Sequence, residues 1–144
     1  VDADALHELE PGEWPAPRVL TPHEGELARL LGRTSADVAA HRLACVLEAA
    51  ERFRSVVLLK GADTLVAAPG GNVLVVALGL PSLATAGTGD VLTGIAAAFL
   101  AKGMEPQRAA AAAAAAQQRA SVEAPQRAGL VASDLIEALP RTLD

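Results

Sequence analysis

Apolar residues along this chain recur either at every third or fourth position or in short unbroken runs, and the two patterns alternate. Leu27, Leu30 and Leu31 are spaced for a helix over residues 24 to 31, with Gly32 placed to stop it. A second helix is predicted from about Ser35 to Phe53, capped by Thr34 or Ser35, with Val38, Leu43, Val46, Leu47 and Phe53 as its buried stripe. Val19-Leu20, within a short strand over 18 to 21, and Val56-Val57-Leu58-Leu59 are compact runs, the second of the kind buried on both faces of a sheet. Residues 65 to 68 and 73 to 77 read as two more strands joined by Pro69-Gly70-Gly71-Asn72, a hairpin signal. Val91, Leu92, Ile95, Phe99 and Leu100 then mark a helix over 91 to 102 that closes at Gly103. Another helix follows from Pro106 through the alanine tract 109 to 116 to about Val122, and a last short one spans 133 to 139 with Ser133 as cap and Pro140 as terminator. Pro11, Gly12, Pro15 and Pro17 make 10 to 18 a loop.

Strands alternating with helices predict an α/β layered fold with a mainly parallel central sheet. In such sheets ligands sit beyond the carboxyl ends of the strands. Three segments fall there: 21 to 26, 60 to 64 and 85 to 90. The length of 144 residues suits one domain, residues 1 to 144. Composition changes the picture of its core, because 33 residues are Ala and only Trp14, Phe53 and Phe99 are aromatic, so Leu, Val and Ile on close-set helices must fill it. A net charge of −5 without basic clusters or stacking platforms argues against nucleic acid as a partner. No run reaches the roughly 18 apolar residues of a membrane span. The single cysteine, Cys45, excludes an internal disulfide and reads as a small buried helix residue; with no basic, apolar leader at the front, the expectation is a cytoplasmic protein.

The strongest chemical signal is Ala84-Thr85-Ala86-Gly87-Thr88-Gly89-Asp90-Val91-Leu92-Thr93-Gly94. Glycines ahead of a helix start let several free N–H groups and the positive end of the helix dipole converge, which makes an anion hole of Ala86, Gly87, Thr88 and Gly89. A carboxylate at that helix start, Asp90, is costly beside a phosphate unless it takes a proton from a substrate hydroxyl or acts through Mg²⁺. The plainer alternative, an ordinary tight turn followed by a helix-terminal charge, fits the spacing equally well. His23 can equally cap its own helix, and Lys60 can extend to solvent from a buried strand. Glu24 and Glu26 read as first-turn helix charges, Asp2 as a solvated carboxylate, and His7 and His41 as surface residues.

The Gly87-Thr88-Gly89-Asp90 segment resembles the signature of the ribokinase-like superfamily of kinases. Joined with Leu20-Thr21-Pro22-His23-Glu24-Gly25-Glu26, Leu58-Leu59-Lys60-Gly61-Ala62-Asp63-Thr64, Ala132-Ser133-Asp134-Leu135 and the opening Asp2-Ala3-Asp4-Ala5-Leu6, it is similar to one branch, the ADP- or ATP-dependent NAD(P)H-hydrate dehydratases. The resemblance implies a ribokinase-like fold and a repair reaction: the extra hydroxyl of hydrated NADH or NADPH is phosphorylated from ADP or ATP with Mg²⁺, and phosphate is then eliminated. It implies that Asp90 deprotonates the hydroxyl, that Lys60, Gly61, Ala62, Asp63, Thr64 and Gly89 contact the adenylate part of the nucleotide, and that His23 and Asp90 contact the hydrated dinucleotide. Metal ligands stay unassigned. A homo-oligomer, and fusion to an NAD(P)H-hydrate epimerase domain, are further expectations. The rivals are a vitamin-precursor kinase of the same superfamily and a non-catalytic nucleotide-binding module.

The chain departs from that pattern in places. Gly79-Leu80-Pro81-Ser82 stands where the family has Gly-Asn-Pro-Gly, Gln117-Gln118 where it commonly has His-Gly, and Glu24-Gly25 where it has Pro-Gly. The family's first half has no counterpart in these 144 residues, so the expectation is a partial ribokinase-like domain.

Overall fold

The computed structural model describes residues 1–77, 83–124 and 129–143. Four strands, β1 (Val19–Leu20), β2 (Val56–Leu59), β3 (Thr64–Ala67) and β4 (Val73–Val76), form one sheet in the order β1-β2-β3-β4. Strand β2 shows the period of two that places alternate side chains on opposite faces. Val57 and Leu59 face one side, where they pack with Leu20 and Ala67 against α1 (Glu24–Leu31), α2 (Ser35–Ala40) and α3 (Arg42–Phe53). Val56 and Leu58 face the other, where they pack with Val19 and Val66 against α4 (Thr88–Ala101) and α5 (Pro106–Glu123). All four β2 residues are buried, as the unbroken apolar run requires.

The described sheet is mixed. β1 pairs with β2 in parallel, while β2–β3 and β3–β4 are antiparallel. The reason lies in connection length: Lys60 to Asp63 between β2 and β3, and the Pro69–Asn72 turn between β3 and β4, are too short for the crossover that parallel neighbours need, whereas three helices separate β1 from β2. The parallel character expected of this sheet is therefore carried, among the described strands, by the β1–β2 pair.

The single helix expected over 35 to 53 is two. His41 leaves helical geometry at φ −131° and ψ 40°, ending α2 and opening α3. Thr34 caps α2 through Oγ1, which accepts from Asp37 N–H at 3.1 Å. Leu43, expected in the buried stripe, is 54% exposed because the break turns it outward, while Cys45, Val46, Ala49 and Phe53 are buried. Helix α4 begins at Thr88, three residues earlier than the apolar periodicity placed it. The closing helix α6 (Ala132–Ala138) has Val131 at its cap position; Ser133 lies inside it, and the Asp134 carboxylate accepts from Val131 N–H at 3.0 Å.

The alanine tract is an ordered part of α5, capped by the Glu105 carboxylate and led by Pro106. Ala109, Ala110, Ala113, Ala114 and Ala116 are buried. Their small side chains let α5 lie close against both α4 and the sheet, which is how a core with so few aromatics reaches native packing. One polar side chain pins this layer: buried Gln107 donates to the carbonyls of Val66 and Asn72, each at 3.0 Å, and accepts from Asn72 Nδ2 at 3.0 Å. Replacing Gln107 by Ala removes three hydrogen bonds from this layer, and is expected to lower unfolding free energy by about 2 kcal/mol, read as a shift in the urea midpoint at unchanged slope.

Candidate functional site

Because β1 and β2 run parallel, their carboxyl ends open on the same side, and the backbone pairing continues one step past them: Lys60 N–H donates to the Pro22 carbonyl at 2.9 Å. On the other edge of β1, Val1 donates to the Val19 carbonyl at 2.8 Å and accepts from Thr21 N–H at 3.1 Å, which brings Asp2 to the same end. Lys60 Nζ donates to Asp2 Oδ1 at 3.0 Å and lies 3.7 Å from Glu26 Oε2. Thr93 Oγ1 of α4 donates to Asp2 Oδ2 at 3.0 Å. Burial on its own would push the Asp2 carboxyl up, but the hydrogen bond and charge of Lys60, with hydrogen bonds from Thr21 and Thr93, outweigh it and hold Asp2 below the ordinary carboxylate value. Asp2 is thus no solvated carboxylate: its side chain is 11% exposed, and no spacing in the sequence signals the ion pair, which spans 58 residues.

His23 caps α1. Its Nδ1 accepts from Gly25 N–H at 3.0 Å and Glu26 N–H at 3.2 Å, and the Glu26 carboxylate returns a bond by accepting from His23 N–H at 2.7 Å. With Nδ1 used as an acceptor, the ring proton belongs on Nε2, which lies 3.5 Å from Glu26 Oε1 at the edge of the cleft. Arg42 ties the neighbouring loop down: its guanidinium pairs with Glu24 and donates to the Asp63 carbonyl at 2.8 Å. It also lies where a side chain on residue 61 would go, so only glycine fits there without moving Arg42.

The third element is the start of α4. Gly87, its cap residue, has φ +84°, and a Cβ there would lie 3.1 Å from that of Ala132. Thr88 is buried; its Oγ1 lies 2.7 Å from the carbonyls of Leu83 and Thr85, and its N–H donates to the Thr85 carbonyl at 3.3 Å. That N–H is spent inside the turn. Those of Ala86, Gly87, Gly89 and Asp90 donate to no backbone carbonyl among the described residues, and the Gly89 and Asp90 groups point from the first helical turn with the helix dipole behind them. A Cβ on Gly89 would lie 3.5 Å from Lys60 Nζ, so the helix start and the lysine adjoin.

These pieces enclose a cleft of about 580 Å³. Of the residues singled out in the sequence, His23, Lys60, Gly61, Ala62, Thr64, Thr88 and Gly89 line it. Asp63, Ala86, Gly87 and Asp90 do not; Asp90 is an exposed first-turn residue of α4. The cleft also takes in Ala84, Thr85 and Leu92 of the quoted glycine-rich motif, together with Leu83 and, from α5, Ala114, Gln117 and Gln118, which sequence reading did not assign to a site. Gln117 anchors this wall by donating to the Thr88 carbonyl. The unusual Gln117-Gln118 pair was the available signal. The Leu80 and Ser82 departures lie outside the described residues.

Among the described residues no group of three or more His, Cys, Asp or Glu side chains could hold a metal ion, and the carboxylates at Lys60 are engaged with it. The described side chains do not form a Mg²⁺ site of their own. A Mg²⁺ ion would arrive on the phosphates of a ligand, which is its usual mode of binding. No described helix is long and apolar enough to cross a membrane.

A sheet covered on both faces, with strand ends opening beneath a glycine-rich helix start, defines an α/β protein of the ribokinase-like class. The family model described as NAD(P)H-hydrate dehydratase matches residues 1–141, and the chain belongs to that family. It is 44% identical over 152 residues to the bifunctional NAD(P)H-hydrate repair enzyme of Moorella thermoacetica, covering 99% of this chain and 28% of that protein. It is 38% identical to the ADP-dependent (S)-NAD(P)H-hydrate dehydratase of Xanthomonas campestris, over 100% of this chain and 51% of the relative. The Bacillus subtilis ADP/ATP-dependent NAD(P)H-hydrate dehydratase co-crystallised with ATP/Mg²⁺ superposes with a TM-score of 0.87 at 30% identity, over 99% of this chain and 52% of that one. The chain thus spans about half the length of its dehydratase relatives and less of the bifunctional one.

Two outcomes follow from the geometry. His23→Asn keeps a good cap and removes the imidazole, so stability should hold while substrate KM rises if the ring contacts substrate; unchanged KM would leave His23 as a cap alone. For Asp2, the folded-state pKa is depressed, so its contribution is present above the unfolded value near pH 3.8 and is lost as pH falls through the folded value. Urea unfolding between pH 5 and about pH 2 should accordingly show a shallower acid decline in Asp2→Asn than in the unmodified protein.

Proposed function

We propose that this chain supplies the nucleotide-facing part of a NAD(P)H-hydrate dehydratase site, which restores NADH or NADPH from the hydrated cofactor at the expense of ADP or ATP. The observation that carries the reading is the cleft in which free N–H groups at the start of α4 adjoin Lys60 and the loop after β2. Its size is that of small-molecule and cofactor sites generally. Since the chain spans about half the length of the Xanthomonas relative, the reaction is assigned to the domain of which residues 1 to 144 form one part.

In this reading Lys60, Gly61, Ala62, Asp63 and Thr64 form the edge that holds the adenylate portion, Asp63 through its backbone since its carbonyl is fixed by Arg42. The N–H groups of Ala86, Gly87 and Gly89 face the phosphoryl group in transfer, where preorganised donors lower the barrier most. Thr88 shapes the turn in place of donating to it. Asp90, exposed on the first turn of α4, takes the proton of the ring hydroxyl as that oxygen forms its bond to phosphorus and the bond from phosphorus to the nucleotide breaks. In the second step the ring carbon–oxygen bond breaks, inorganic phosphate departs with the electron pair, and loss of a ring proton regenerates the double bond of the reduced nicotinamide. Mg²⁺, carried on the nucleotide, would neutralise phosphate charge. Cytoplasmic location, assembly into a homo-oligomer and fusion to an epimerase domain belong to the same proposal; the Moorella relative is bifunctional.

The test is recovery of reduced-nicotinamide absorbance when the full-length polypeptide is given hydrated NADH with ADP or ATP. Asp90→Asn should reduce turnover by at least about 10²-fold, the lower range for a lost general base, with nucleotide affinity within about twofold of the unmodified protein. A stable phosphorylated product without absorbance recovery would instead identify a kinase, and unchanged turnover would remove Asp90 as the base.

A further inference from the structure

One polar group in the cleft wall is used by nothing described so far. Gln118 on α5 lines the cleft and is 3% exposed, yet its amide oxygen Oε1 is buried and accepts no hydrogen bond. Its neighbour Gln117 is committed to the Thr88 carbonyl, and Ser121 Oγ donates to the backbone carbonyl of Gln118 and not to its side chain. Buried side-chain amides without a partner are uncommon in folded proteins, and one in a ligand cleft points to a partner that arrives with the ligand. The torsion that carries the terminal amide is broad and roughly two-fold, so rotation about it carries Oε1 out of its buried position without moving α5.

The rest of the lining says which part of a ligand meets it. Lys60 and the free N–H of Gly89 suit phosphates, whereas Leu83, Leu92 and Ala114 give the same cleft an apolar lining with no charge. An acceptor set in an apolar wall matches the edge of a planar ring that bears an N–H donor. We infer that Gln118 reads the nucleobase of the phosphoryl donor, its Oε1 accepting from the exocyclic 6-amino group of adenine, and so acts as a specificity-determining residue. The inference rests on the proposed nucleotide-dependent function and concerns one side chain within it.

The probe is ATP against the triphosphate of purine riboside, which is identical except that the 6-amino group is missing. In the full-length polypeptide, ATP should bind about tenfold more tightly than the analogue. Gln118→Met, similar in shape and unable to accept, should reduce that ratio to nearly one. Its ligand-free melting temperature should stay the same or rise, because an unpartnered buried carbonyl has been removed. Equal binding of the two nucleotides by the unmodified protein would overturn the inference without any variant, as would a Gln118→Met protein that keeps the tenfold preference. Failure of the unmodified protein to bind either nucleotide would overturn the proposed function, and this inference with it.

Discussion

The parallel pairing of β1 with β2 is the constraint on which the rest of the structure depends. It aligns two carboxyl ends, and the bond from Lys60 N–H to the Pro22 carbonyl extends that alignment into the segments that follow. From there the chain has little freedom: His23 must cap α1, and Lys60 must face the start of α4. Had β1 and β2 been antiparallel, these segments would lie at opposite ends of the sheet. The three helices between the two strands are what make the parallel arrangement reachable, and the same helices cover the face of the sheet away from α4 and α5.

Sequence pattern reached far into this arrangement where the signal was local. The apolar run of β2, the Pro69–Asn72 hairpin, the Pro106 start of α5 and the glycine-led start of α4 are each set by neighbours within a few residues, and each is present. The break at His41 escaped because residues 35 to 53 keep helical composition throughout, and the apolar stripe does not reveal a kink in which Leu43 turns outward. The mixed sheet was implicit in connection lengths that composition does not weigh. Within the cleft, His23 shows how two readings can describe one residue: its Nδ1 is a helix cap, while the ring itself lines the cleft with Nε2 beside the Glu26 carboxylate. The Asp2–Lys60–Thr93 network was out of reach for a different reason. It joins three elements far apart in sequence, and only the tertiary fold makes them neighbours.

Membership of the dehydratase family and the extent of the match meet in the geometry of the cleft. One wall is β-strand ends and their loops, another is α4 with α5, and the residue proposed as base, Asp90, lies outside the enclosed lining on the exposed side of α4. That placement is coherent if the hydrated cofactor approaches Asp90 from a different side than the nucleotide does, with the reacting oxygen and phosphorus meeting over the helix start.

Charge sharpens the account of how a nucleotide would be held. Lys60 is the only lysine or arginine among the described residues lining the cleft, and it already faces the carboxylates of Asp2 and Glu26. Side-chain charge at the lysine therefore sums to +1 − 2 = −1 when all three are ionised, which on its own repels phosphate. An anion entering here must draw its attraction from oriented backbone N–H groups, the dipole of α4 and any cation it brings along. Such donors are fixed in place before the ligand arrives and cost no side-chain entropy to align, so they act on charge that shifts during phosphoryl transfer as effectively as on the resting phosphate. The paired lysine then serves orientation more than attraction: tethered to Asp2, which Thr93 of α4 also holds, it links the end of β2 to the helix whose first turn is proposed to face the phosphates. Breaking that tether would loosen the distance between the loop after β2 and the start of α4, and the cost would appear in the geometry of transfer before it appeared in binding.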